Sequence, residues 1–394
     1  MTHISQMAAA ASPRRPKAAN DVVRLNSQSD FIVVDIRDSI FTDKPQAHEK
    51  LANLYRDTFN SVAAVEAKWT EASANDLIRT HTRTLGCNLV LLDNNRNIVG
   101  AFLSSLFPSQ GGWEIGYLDV FISKGQQAKG LSGELSLISL EHADRIAQNE
   151  LGSQIVGVTS TTYRVPEQPK KYWADHGSTL KEQYTLTAQE IASHGRFVNQ
   201  TLKVEIVSEA QTSPEEIADF ISHTGTTSSD GKKWDKESAL TYANFMLENH
   251  PATFAVTHRY GEIVAVNSLV LMPSRTGPSG VNVHSFVSAN GAEEQADIVR
   301  ASMAKLVDFA KGAAVSQWGK SFSSLEIPEA IYPFFKNAFH NIQADPEFLS
   351  LEGNSRVIRG KFNERLKRSK VGERIATVPT PSFPKLTGFS FAFT

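Results

Sequence analysis

Residues 117–142 read YLDVFISKGQQAKGLSGELSLISLEH, and this stretch decides the fold. Residues 117–122 are β-branched, aromatic or Leu around one Asp, the composition of a strand. Leu131, Leu135, Ile138, His142 and Ile146 then recur at steps of three and four, the spacing of one helix face. The strand hands over to the helix through Gln127-Ala128-Lys129-Gly130-Leu131-Ser132. Gly130 removes the Cβ that would block the approach of a ligand, and Ser132 is a good N-cap residue. The first N–H groups of a helix form an anion site, to which Lys129 adds a positive charge.

On the N-terminal side of this stretch, residues 31–37 read as a strand, and 48–59 and 62–85 as two helices. Residues 88–92 and 98–107 are two strands joined by an Asp/Asn-rich turn, a hairpin. On the other side, 154–159 is a short apolar strand and 166–176 a short helix. Strand, two helices, three antiparallel strands, helix, strand and helix, with Gln-x-x-Gly-x-Ser at the fourth strand's exit, resembles the GCN5-related N-acetyltransferase superfamily over about residues 31–186. That resemblance implies an acyl-CoA donor, acetyl-CoA or another, with its pyrophosphate on the amides of Gln127, Ala128, Lys129, Gly130, Leu131 and Ser132. It also implies backbone hydrogen bonds from Phe121 and Ile122 to the pantetheine arm.

The second half repeats the first at a shift of roughly 165 residues. The strand Asn97-Ile98-Val99-Gly100-Ala101 falls without a gap on Glu262-Ile263-Val264-Ala265-Val266, and Leu106-Phe107-Pro108 on Leu271-Met272-Pro273. The expected fold class is therefore α/β (α+β): two tandem acetyltransferase-like folds, each a mixed, mostly antiparallel sheet flanked by helices. The expected units are a tail at 1–25, domains at 26–190 and 200–360, and a basic, aromatic tail at 361–394. In the repeat Gly130 becomes Gln295, Lys129 becomes Glu294 and Ser132 becomes Asp297. Three such changes put carboxylates and a Cβ where a pyrophosphate would sit, so acyl-CoA is expected in the first copy only.

Composition bounds the rest. A chain of 394 residues with 41% hydrophobic content can bury two cores, and a net charge of -2 gives no global field toward nucleic acid or anionic membrane. One cysteine, Cys87, excludes an intramolecular disulfide and a Cys-cluster zinc site and fits a cytoplasmic location. No histidine pair has metal-ligand spacing, so no metal is expected. No apolar run is long enough to span a membrane.

Acyl transfer from a thioester to an amine needs a base for the amine and an acid for the departing thiolate. The resemblance implies a carboxylate on the fourth strand as base: Glu114 by strand parity with Ile122, or Asp119 if a bulge shifts the pleat. It implies a tyrosine on the last helix as acid. Counting back from Gly177 puts Trp173 on that position, so Tyr172, one residue away, and His176 both remain open. Phe334-Phe335 in the repeat cannot donate a proton. The expected function is acyl transfer to a small amine or similar nucleophile, with the second copy shaping the acceptor site. Two alternatives stand beside it: an aminoacyl-tRNA-dependent transferase, for which the basic stretch near Lys367 speaks, and a non-catalytic CoA-binding module.

Overall fold

The computed structural model describes residues 30–62, 66–127, 130–165, 167–194, 201–206, 212–223, 233–249, 254–288, 290–369 and 375–377. In the first half β1 (Phe31–Asp35) leads through α1 (Ser39–Thr42), α2 (Ala47–Asn60) and α3 (Glu71–Arg83) to β2 (Leu89–Asp93), β3 (Ile98–Ser109) and β4 (Gly112–Ile122). Next come α4 (Leu131–Glu150), β5 (Ile155–Tyr163), α5 (Glu167–Asp175) and β6 (Thr179–Thr187). After α6 (Ala188–His194) the second half repeats the order: β7 (Leu202–Ile206), α7 (Pro214–His223), α8 (Lys236–Asn249), β8 (Phe254–Arg259), β9 (Glu262–Met272) and β10 (Ser279–Val287). It continues with α9 (Ala292–Trp318), β11 (Ser324–Pro328), α10 (Tyr332–Ala338) and β12 (Gln343–Asn354), and closes with α11 (Ser355–Ser369) and β13 (Ile375–Thr377).

Local chemistry accounts for the boundaries. The expected helix over 62–85 starts only at Glu71, because Thr70 accepts from the Ser73 N–H while the Ser73 hydroxyl returns to the Thr70 N–H, a reciprocal cap. Asp235 at the start of α8 accepts from the Ser238 N–H at 2.8 Å, but its own N–H goes to Gln110 Oε1, so this cap is not reciprocal. The two caps lie in Lys68-Trp69-Thr70-Glu71-Ala72-Ser73 and Lys233-Trp234-Asp235-Lys236-Glu237-Ser238, again 165 residues apart, a match the sequence reading passed over. Cys87 is fully buried and its thiol donates to the Ser139 carbonyl, as a structural cysteine does.

All thirteen strands form one sheet in the order β13-β1-β2-β3-β4-β5-β12-β6-β11-β10-β9-β8-β7. Inward from each side, β1-β2-β3-β4-β5-β12 mirrors β7-β8-β9-β10-β11-β6, so each half is completed by the other half's last strand. β12 runs antiparallel to β5 from Phe348↔Tyr163 to Asn354↔Gly157, and β6 antiparallel to β11 from Thr187↔Ser324 to Gln183↔Pro328. The exchange pairs edges of β5 and β11 that would otherwise present bare N–H and C=O groups. The expected boundary between 190 and 200 thus divides the chain but not the sheet. Of the expected C-terminal tail, residues 361–369 belong to α11, where Phe362 is buried, and residues 375–377 form β13, parallel to β1. The expected tail at 1–25 lies outside the described residues.

Candidate active site

The site begins with a break in the β3–β4 ladder. Leu103 pairs with Asp119 and Ser105 with Gly116, so β4 spends one residue more than β3 between them. Tyr117 takes up the excess at φ 50, a left-handed conformation that costs a non-glycine residue about 1 kcal/mol or more. The extra residue reverses the alternation of side chains beyond it. Asp119 consequently lines a cavity of about 920 Å³, and Glu114 does not. Glu114 is buried on the other side of the bulge, accepting from Ser109 Oγ at 2.7 Å with its stem against Gly157.

Past the bulge β4 also leaves β5. The two pair in parallel only from Trp113↔Ile155 to Ile115↔Val158. Beyond that point the Ser160 hydroxyl spans the widening gap, donating to the Leu118 carbonyl at 2.8 Å and taking the Leu118 N–H at 3.2 Å. The cavity opens along this divergence and extends under β12, β6 and β11 of the exchanged region.

Asp119 is half-buried on the cavity wall and accepts from the Tyr55 hydroxyl at 2.9 Å. Burial pushes its pKa up to about 6, against the opposing pull of the Tyr55 hydrogen bond and the Arg275 guanidinium. Such a carboxyl is ionised at neutral pH and more basic than an ordinary aspartate. Glu326 of β11 faces the same cavity and is pushed up to about 7, first by burial and then by the neighbouring Asp345 carboxylate. Arg275, in the turn between β9 and β10, lies over the Phe348 ring at 4.8 Å and pairs with Glu347 at 3.3 Å. Tyr55, Ser160, Arg275 and Glu326 escaped the sequence reading. None sits in a motif, and the last two arrive from the second half.

At the far end of β4, Phe121 and Ile122 are buried and paired with Ala101 and Gly100, and Gln127 Nε2 donates to the Ile122 carbonyl at 3.2 Å. Ala128 and Lys129 lie outside the described residues. Gly130, not Ser132, caps α4: its φ of 77 turns the chain into the helix, with Leu131 and Ser132 in the first turn. Ser132 instead lines the cavity beside Tyr172, whose hydroxyl lies 3.5 Å from Ser136 Oγ. Burial pushes the Tyr172 pKa up to about 12, with hydrogen bonds from Ser136 and Ser132 opposing. Tyr172 thus stands over the start of α4, whereas His176 turns away, its Nδ1 2.5 Å from the Tyr172 carbonyl and its ring stacked on Phe362 at 3.9 Å.

In the second half β10 carries a bulge in the matching place, between Val281 and His284. The surroundings differ. His284, the counterpart of Asp119, is buried among the rings of Trp234, Tyr242 and Phe286. Helix α9 starts at Ala292, earlier than the ungapped shift places it, leaving residues 288–291 where the first half has 123–130. Glu294 in its first turn accepts from the Asn290 N–H at 2.6 Å and pairs with Arg259. Among the described residues no group of three or more His, Cys, Asp or Glu side chains is placed to hold a metal, and no helix is long and apolar enough to cross a membrane.

The sequence matches no protein-family model and no curated protein. Among solved structures the chain is similar to a GCN5-related N-acetyltransferase from Sphaerobacter thermophilus at 10% identity, over 83% of this chain and 96% of that one, with a TM-score of 0.48. It is similar at 11% identity to a tandem GNAT protein from the clavulanic acid biosynthesis pathway, over 82% of this chain and 98% of that one, with a TM-score of 0.47. It is also similar at 10% identity to Saccharomyces cerevisiae N-myristoyltransferase with bound myristoyl-CoA, over 87% of each chain, with a TM-score of 0.45.

Proposed function

We propose that the chain is an acyl-CoA-dependent acyltransferase in which the first half binds the thioester and the cavity receives an amine. The observation that carries this reading is the parting of β4 from β5 at the Tyr117 bulge, which opens a slot between the start of α4 and Asp119. An acyl-CoA laid in that slot has its pyrophosphate at the amides of Leu131 and Ser132, its pantetheine arm along Phe121 and Ile122, and its thioester toward Asp119. Asp119 takes the proton as the amine nitrogen forms its bond to the thioester carbon. The C–S bond then breaks, and the Tyr172 hydroxyl supplies the proton that turns the thiolate into free CoA thiol. A pKa of about 6 keeps Asp119 ionised at neutral pH and makes it a stronger base than an exposed aspartate. Burial holds the Tyr172 pKa at about 12, so the hydroxyl stays protonated at neutral pH and is present as a donor when the thiolate forms.

The test is a thiol-release assay with acetyl-CoA and longer acyl-CoAs, run beside calorimetric binding of the same thioesters. One acyl-CoA per chain, with thiol released only when an amine is added, supports the reading. No binding of any acyl-CoA, or two molecules per chain, overturns it.

A further inference from the structure

We infer that the acceptor carries at least two ammonium groups, the reacting nitrogen meeting Asp119 and a second cation meeting Glu326 and Asp345 of the second half. This rests on the acyl-transfer reading for the identity of the reacting end. The charges lining the cavity are one-sided: Glu66, Asp119, Glu190, Glu326, Asp345, Glu347 and Glu352 are set against Arg275. Three of these carboxylates have basic partners of their own, Glu347 with Arg275, Glu352 with Lys181 at 2.6 Å and Glu190 with His194 at 3.4 Å. Among the described residues the carboxylates of Asp119, Glu326 and Asp345 have only neutral donors at hydrogen-bond distance, the Arg164 guanidinium donating to the main-chain carbonyl of Asp345 at 2.6 Å and not to its carboxylate. Tyr55 serves Asp119. Ser279 Oγ at 3.2 Å and Gln183 Nε2 at 3.4 Å serve Glu326, and Thr185 Oγ1 at 2.9 Å serves Asp345 together with the N–H groups of Glu347 and Phe348.

Carboxylates held near one another in a partly desolvated chamber repel, and a cation entering from outside relieves that repulsion. Glu326 is raised first by burial, to which Asp345 and Asp119 add, while Ser279 and Arg275 pull it down. Asp119 lies on β4 of the first half, Glu326 on β11 and Asp345 on β12 of the second, so the three line the chamber from three strands. A monoamine would satisfy one end only. The ligand class is therefore a diamine, a polyamine or an aminated sugar, as opposed to a neutral or zwitterionic acceptor.

Two arms test this with the full chain. In the first, thiol release from acetyl-CoA compares 1,4-diaminobutane with n-butylamine, which differ by one ammonium group. A charge-assisted hydrogen bond predicts at least about a tenfold higher kcat/KM for the diamine, and Glu326→Gln and Asp345→Asn should each draw the ratio toward one. In the second, calorimetry follows spermidine alone, which should bind wild type more tightly than Glu326→Gln and lose affinity with added salt. Equal use of the two amines, or spermidine binding unchanged in both variants, overturns the inference. Spermidine binding that weakens in the variants while no acyl-CoA binds would sink the acyl-transfer reading and leave this one standing.

Discussion

The two halves follow one chain course and diverge at the bulge of the fourth strand. In the first half the residues past the bulge are Leu118 and Asp119, open to a cavity and held by Tyr55. In the second half His284 sits in the matching place, enclosed by Trp234, Tyr242 and Phe286, none of which lines that cavity. The helix starts differ in the loops that lead to them, residues 123–130 before α4 and 288–291 before α9. Both helices start from a glycine, Gly130 and Gly291, and both carry acid in the first turn, but Glu294 of α9 is bonded back to its own loop through the Asn290 N–H and pairs with Arg259. A first-turn carboxylate bonded back to the loop, as Glu294 is, answers the helix dipole that would otherwise favour a ligand's phosphate. The second half has kept the frame and spent its polar groups on itself, while lending Glu326, Asp345 and Arg275 to its neighbour's cavity.

The sharpest break of that comparison is at the helix starts. Gly130→Glu should abolish acyl-CoA binding by calorimetry, through the charge beside the pyrophosphate and a side chain at a left-handed φ. Gln295→Glu should leave binding as in wild type. Circular dichroism of Gly130→Glu must show an intact fold for the result to count, and undiminished binding there would place the phosphates elsewhere.

The next largest effect concerns the bulge. Asp119→Asn should lower kcat about 100-fold near pH 7 and less at high pH, where free amine is already present. Glu114→Gln keeps its hydrogen bond to Ser109 and should retain kcat within a few-fold. Reversal of the two pH–rate curves would mean that the bulge does not set which acid faces the amine.

A smaller effect is expected at Tyr55. Its hydroxyl stabilises ionised Asp119, so Tyr55→Phe should raise the apparent pKa of the acidic limb above about 6 and move the rise in kcat/KM to higher pH. An unmoved limb would show that the titrating group is not Asp119.

The last expected effect is read on stability. A carboxyl held at about 7 in the fold and at about 4.3 when unfolded binds a proton more tightly in the folded state. Its contribution is therefore fully present at pH 4 and is lost as pH rises through 7. Glu326→Gln removes that loss, so its melting temperature relative to wild type should climb from pH 4 to pH 8. A difference that is flat with pH would mean that Glu326 is solvated.

Much of this architecture was legible because short-range rules write it. The three- and four-residue spacing from Leu131 to Ile146 gave α4, the Asp/Asn turn gave the β2–β3 hairpin, and the gapless match of Asn97-Ile98-Val99 to Glu262-Ile263-Val264 exposed the repeat. The cap of α4 was misplaced by two residues, since Ser132 satisfies every local rule for an N-cap while Gly130 has the left-handed backbone the turn requires. Strand β12 and helix α11 went unread for a different reason. Gln343-Ala344-Asp345-Pro346-Glu347 has little strand character of its own, and the pairing of Gln343 and Ala344 with Thr185 and Tyr184 of β6 is what makes part of it strand.

By itself the sequence determined the main elements from β1 to α5 and the glycine-bearing loop before α4, because each depends on neighbours a few residues apart, and the repetition of that order, because the same local patterns recur about 165 residues on. Only the tertiary structure decided that Asp119 rather than Glu114 faces the cavity, since one surplus residue at Tyr117 reverses the side-chain alternation and strand parity cannot reveal it. It also decided that the halves exchange their last strands, because partner choice between sheet edges is a competition across the whole chain. The acidity of the cavity belongs there too: Glu326 and Asp345 are ordinary surface-type residues in the sequence, and the fold brings them to the same cavity wall as Asp119, some two hundred residues away in the chain.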